Sequence, residues 1–102
     1  MIDEFVATAL AQGLAPVPLR ARSHDGRRRY RTALQGWYLR RNESVAIDTV
    51  GRYYVLTVPP SLTALIRGVD PSPEDPPLVL GRGARDGESI DLAEALRLAL
   101  QR

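Results

Sequence analysis

The chain of 102 residues contains no cysteine and no lysine, and only one histidine, one tryptophan and one phenylalanine. Without cysteine there is no disulfide, no thiolate metal site and no sulfur nucleophile, and nothing points to an oxidising compartment. Without lysine there is no Walker-type phosphate loop, which requires Gly-Lys-Ser/Thr. All fourteen basic residues are therefore arginine. Beside abundant Ala, Leu, Pro and Gly this matches the codon bias of a GC-rich bacterial genome, so the placement of arginine carries more information than its amount. No apolar run approaches the roughly 18 residues of a membrane span. The opening Met1-Ile2-Asp3-Glu4 is acidic where a signal peptide is basic. The expectation is a cytoplasmic protein with no membrane association.

What is present is an uneven charge. Arg20, Arg22, Arg27, Arg28, Arg29, Arg31, Arg40 and Arg41 face the single Asp25 within residues 20–41, while the whole chain carries only +2. The segment holds about +7 and the remainder about −5, a separation that argues about partners rather than about fold. Apolar residues at 44% and charged residues at 25% exclude global disorder. The length suits one domain over residues 1–102.

Hydrophobic spacing outlines the elements. Ile2, Phe5, Val6, Ala9 and Leu10 predict a helix over 2–12 that Gly13 stops, with Asp3 and Glu4 at its positive end. Pro16 and Pro18 extend the connector. Asp25-Gly26 predicts a type I′ hairpin over 19–32, pairing His24 with Arg27, Arg22 with Arg29 and Arg20 with Arg31. A helix over 27–37 is the competing reading, with Tyr30, Leu34 and Trp37 at helical spacing, but Gly36 interrupts it. Short strands over 37–40, 45–48 and 52–58 form a meander, with Gly51 in the left-handed position of a three-residue loop. Alternation places Trp37, Leu39, Val45, Ile47, Tyr54, Leu56 and Val58 on a core face. It places Tyr38, Arg40, Ala46, Asp48, Tyr53, Val55 and Thr57 on the outer one. Ser61 caps a short helix ended by Gly68, and residues 70–77 form an acidic, proline-rich extended connector. Residues 78–80 offer one more strand, and Asp91 with Glu94 make a capping box for a terminal helix. The fold class is thus α+β: a small antiparallel sheet of three to five strands around a central meander, packed on one face by an N-terminal, a short middle and a C-terminal helix.

The functional candidates follow from the hairpin. Arg20, Arg22, Arg29 and Arg31 would form a two-by-two grid with along-strand neighbours about 7 Å apart. Like charges opposed across a strand pair cost as much as opposite charges contribute, about 0.2 to 1 kcal/mol. Guanidinium groups bind carboxylate and phosphate in a bidentate way, so an acidic protein surface or a nucleic-acid backbone suits the grid. A solvated edge hairpin, charged against edge-to-edge pairing, or a loop meeting the chain's own acidic residues would look the same. On the outer sheet face Tyr38, Arg40 and Tyr53 would extend the surface and stack single-stranded bases. The glycine-rich run 81–87 lies before a helix as an anion loop would, but Asp86, Glu88 and Asp91 oppose phosphate there. The lone His24 offers no Ser-His-Asp arrangement, and the carboxylates match no cation-loop spacing. The expectation is a non-catalytic interaction or regulatory module with no cofactor and no metal, docking an acidic protein surface, or alternatively RNA or single-stranded DNA.

Overall fold

The computed structural model describes residues 1–80 and 90–101. The run 81–87, weighed above as an anion loop, lies outside the described residues. The elements are α1 (Ile2–Ala11), β1 (Val17–Ser23), β2 (Arg29–Tyr38), β3 (Val45–Asp48), β4 (Tyr53–Val55), β5 (Thr57–Val58), α2 (Leu62–Arg67), β6 (Val79–Leu80), β7 (Ile90–Asp91) and α3 (Leu92–Ala99). This is the α+β architecture expected, with an N-terminal, a middle and a C-terminal helix and a five-stranded, mostly antiparallel sheet.

The strand order is β4-β3-β2-β1-β5, and the one parallel pair joins β1 to β5. β4 and β5 are successive halves of the run 53–58, separated by Leu56. One stretch of chain therefore forms both edges, and the sheet curls until it meets itself. The arrangement leaves one apolar cluster inside the curl, made by Leu19, Ala46, Tyr54 and Leu56 with Leu34 and Tyr38 against them. The larger cluster lies between the sheet and the helices: Trp37, Leu39, Val45, Ile47 and Tyr53 meet Phe5 and Ala9 of α1 and Leu92, Ala95, Leu96 and Ala99 of α3. Phe5 meets Trp37 edge to face with ring centroids 5.7 Å apart, and the indole N–H donates to the Leu14 carbonyl at 2.9 Å.

Several expectations need correction. Over β3 and β4 both faces of the sheet are covered, so the outer tyrosine face expected there is not bare, whereas one face of β1–β2 stays exposed. The run 52–58 is one residue out of phase with the alternation read from the sequence: Tyr53 stands opposite Ile47 and Val55 opposite Val45, while Tyr54 stands opposite Ala46. The three-residue loop 49–51 dictates this. Asp48 and Arg52 close it by an N–H to carbonyl bond of 3.0 Å, Gly51 adopts φ +88°, and directly opposed residues share a face. β2 is a single strand rather than two, and it crosses an irregularity where pairing moves from Pro18↔Gln35 to Arg20↔Arg31. The Thr32 hydroxyl fills that break by donating to the Leu19 carbonyl and accepting from the Leu34 amide. Gly36 is required by close approach, since a Cβ there would stand 2.0 Å from the Ile47 carbonyl oxygen. At the other end, Asp91 precedes α3 but makes no side-chain cap; its backbone is paired to Val79, and Glu94 turns to Arg97 instead.

Candidate functional site

The hairpin register sets the site. Arg20 pairs with Arg31 and Arg22 with Arg29, as the sequence predicts, so the four project from one face of β1–β2. The residues between them, Leu19, Ala21, Ser23 and Tyr30, are buried on the opposite face. Alternation therefore fixes the arginines outward. The turn is wider than a type I′ hairpin. Only Gly26 has positive φ, +74°, whereas type I′ needs it at both central residues. Asp25 shapes the loop by accepting from the Ser23 hydroxyl and from the Arg27 amide. The Ser23 hydroxyl foremost, then the Arg27 amide, and then the Arg27 and Arg28 charges hold the Asp25 carboxyl below the usual carboxylate range. Arg27 and Arg28 lie exposed at this tip.

The strip is partly neutralised from within. Glu43 Oε1 lies 3.4 Å from Arg22 and 3.2 Å from Arg29, so one carboxylate bridges the opposed pair. Arg22 also donates to the Asn42 carbonyl. Glu43 adopts φ +60°, a left-handed conformation costing an ordinary side chain on the order of 1 to 2 kcal/mol. The turn that places Glu43 is closed by its own amide donating to the Arg40 carbonyl at 3.0 Å. Arg31 takes another route, donating from Nη2 to the Ile66 carbonyl at the end of α2, 2.8 Å away. Arg20 is exposed, and among the described residues its side chain has no ion pair or hydrogen bond.

The remaining candidates separate. The Tyr38 hydroxyl accepts from the Arg20 amide at 2.9 Å, which ties this half-buried ring to the strip by its edge. Arg40 lies half-buried near Tyr53 and favours that phenol's ionised form. Tyr53, expected outside, is 4% exposed within the main core. Burial, reinforced by the Glu74 charge, pushes its hydroxyl up to about 12. Tyr54 is also buried, and its hydroxyl donates to Asp48 Oδ2 at 3.1 Å. Neither tyrosine of the adjacent pair therefore offers a ring face to a base.

Two features escaped the sequence reading. Glu43 is the only acid between Asp25 and Asp48, and that isolation beside the basic block was the available signal. Arg67 lies exposed at the end of α2 and, with Arg31, Thr32, Gly68 and Asp70, lines an open groove of about 610 Å³. A smaller polar depression of about 210 Å³ brings Arg22, His24, Asp25, Asn42, Ser44 and Thr57 together. There the Ser44 hydroxyl bonds to Asn42, and the imidazole of His24 has no hydrogen bond among the described residues. Among the described residues no three His, Asp or Glu side chains gather in a metal-binding group, and no helix is long and apolar enough to cross a membrane. Comparison with known protein families, curated proteins and solved structures finds no match.

Proposed function

We propose that the chain is a non-catalytic interaction module that docks an acidic protein surface through the outward face of the β1–β2 hairpin. The observation that carries this reading is the register, which sets Arg20 opposite Arg31 and Arg22 opposite Arg29 on one exposed face. Among the described residues Glu43 is the one carboxylate ion-paired to those four arginines. Like charges held opposed destabilise a strand pair, and carboxylates on a partner relieve that repulsion through bidentate contacts. Arg20 and the exposed tip residues Arg27 and Arg28 extend the footprint. A phosphate backbone satisfies guanidinium groups equally well. However, the stacking surface that single-stranded nucleic acid uses is weakened here, because Tyr53 lies in the core. That asymmetry favours an acidic protein.

Fluorescence anisotropy tests the reading, using a labelled poly-glutamate peptide and a mixed-sequence single-stranded oligonucleotide at about 50 mM salt, where such contacts are strong. The peptide is expected to bind with an affinity that falls as salt rises. Arg20→Glu combined with Arg31→Glu is expected to abolish binding, with thermal melting verifying that the variant folds although α2 loses its Arg31 contact. Binding of the oligonucleotide alone transfers the reading to nucleic acid, and binding of neither ends it.

A further inference from the structure

The middle helix is built inside out. Leu62, Leu65 and Ile66 follow helical spacing along one stripe, yet they are 72%, 41% and 76% exposed, and no residue of α2 is buried. Polar contacts at the ends of the helix hold it in place. Ser61 Oγ accepts from the Ala64 amide at 3.2 Å, and the Ser61 amide donates to the Tyr30 hydroxyl at 3.0 Å. At the far end Arg31 grips the Ile66 carbonyl, and the Val69 amide donates to the Arg31 carbonyl at 2.7 Å. Gly68, at φ +81°, packs so closely that a Cβ would stand 2.7 Å from that same carbonyl oxygen. Arg31 is thus shared between the arginine strip and the helix. The groove beside it carries two guanidinium groups, from Arg31 and Arg67, against the single carboxylate of Asp70.

We propose that α2 and this groove form the specificity half of the docking surface and receive an acidic amphipathic peptide segment of a partner protein. Its large apolar side chains rest on Leu62, Leu65 and Ile66, and its carboxylates reach Arg31, Arg67 and Arg20. The proposal rests on the arginine strip as a surface for acidic partners and adds the apolar requirement. Contiguous apolar surface rimmed by polar groups marks interaction sites, whereas single exposed leucines do not. The sign of the rim selects carboxylates. A second copy of the chain is disfavoured by area: one stripe on a six-residue helix falls well below the roughly 1,200 Å² that stable interfaces bury.

Random peptides displayed on phage and selected on the immobilised 102-residue chain test the proposal, with recovered sequences synthesised and titrated by anisotropy. The expected sequences combine Leu, Ile or Phe with Asp and Glu. Leu62→Ser combined with Ile66→Ser should weaken these peptides about tenfold or more while leaving poly-glutamate binding unchanged. Arg20→Glu combined with Arg31→Glu should weaken both kinds of peptide. Both serines replace exposed side chains, and thermal melting verifies that the double variant folds. Recovery of acidic sequences without large apolar residues, or titrations indifferent to the two serines, overturns the proposal and leaves the arginine-strip reading standing. Failure of poly-glutamate to bind overturns both. If the wild-type mass in sedimentation equilibrium rises with concentration and the double-serine chain stays monomeric, the stripe belongs to a second copy, and the proposal is overturned.

Discussion

α2 and α3 have similar apolar content and opposite fates. α3 buries Leu92, Ala95, Leu96 and Ala99 against the sheet and sets the Glu94–Arg97 pair outward, the usual arrangement of a surface helix. α2 buries nothing and turns Leu62, Leu65 and Ile66 to solvent. α3 ends without a side-chain cap, whereas α2 has the Ser61 cap, the left-handed Gly68 and the Arg31 contact to Ile66. Packing positions the first helix and polar termini position the second. The lesson is that an apolar helix need not spend its apolar face on its own fold. Where caps and a bridging arginine hold it, that face stays exposed.

The largest test of this contrast is truncation within α3. Leu96→Ala is expected to cost about 3 kcal/mol in urea unfolding, the cost of a cavity in a core that relaxes only in part. A loss under about 1 kcal/mol would show that α3 is held as α2 is. Next comes the core beneath α3, read through pH. Tyr53 ionises at about 12 in the folded chain against 10.0 normally. Between those values the unfolded chain has released a proton that the folded chain retains, so stability falls as pH rises. The contribution of Tyr53 is fully present below pH 10 and amounts to about 2.5 kcal/mol lost by pH 12. Tyr54, raised by burial and by its bond to Asp48, adds to the loss in the same direction. Tyr53→Phe should therefore flatten the alkaline decline in urea midpoints measured from pH 9 upward, and an unchanged decline would remove Tyr53 as its cause. A smaller effect falls on the other helix: Ser61→Ala should cost about 1 kcal/mol, with faster amide exchange in α2 than in α3. The smallest is Ile66→Ser, expected within about 0.5 kcal/mol of wild type by the same unfolding measurement. A cost near that of Leu96→Ala would mean the stripe serves the fold after all.

Much of this was legible from local chemistry. Ile2, Phe5, Val6 and Ala9 announce α1, Ser61 and Gly68 bracket α2, and Asp25-Gly26 predicts the pairing of Arg20 with Arg31 and Arg22 with Arg29, even though the turn itself is wider than expected. The phase of Tyr53 and Tyr54 was misread because all four residues of β3 are buried, so hydrophobicity along it does not mark a face. The loop 49–51, already recognised by Gly51, contained the answer, since its length fixes which residues stand opposed. The capture of Arg22 and Arg29 by Glu43 depends on a turn bringing together residues 21 and 14 positions apart. Periodicity cannot reveal such a contact. The outward stripe of α2 was hidden for the reverse reason, because helical spacing of leucines ordinarily signals burial.

The run 53–58 has a mechanical consequence. As it lines β3 with its first half and β1 with its second, it works as a single latch on both ends of the curled sheet. The outer side of its first half is further occupied by the Glu74 amide, which donates to the Tyr53 carbonyl at 2.8 Å. Peeling that run away opens two seams at once, so the sheet has no cheap way to fray strand by strand. It should yield in one cooperative step, and until then its strands present few bare backbone groups to template aggregation.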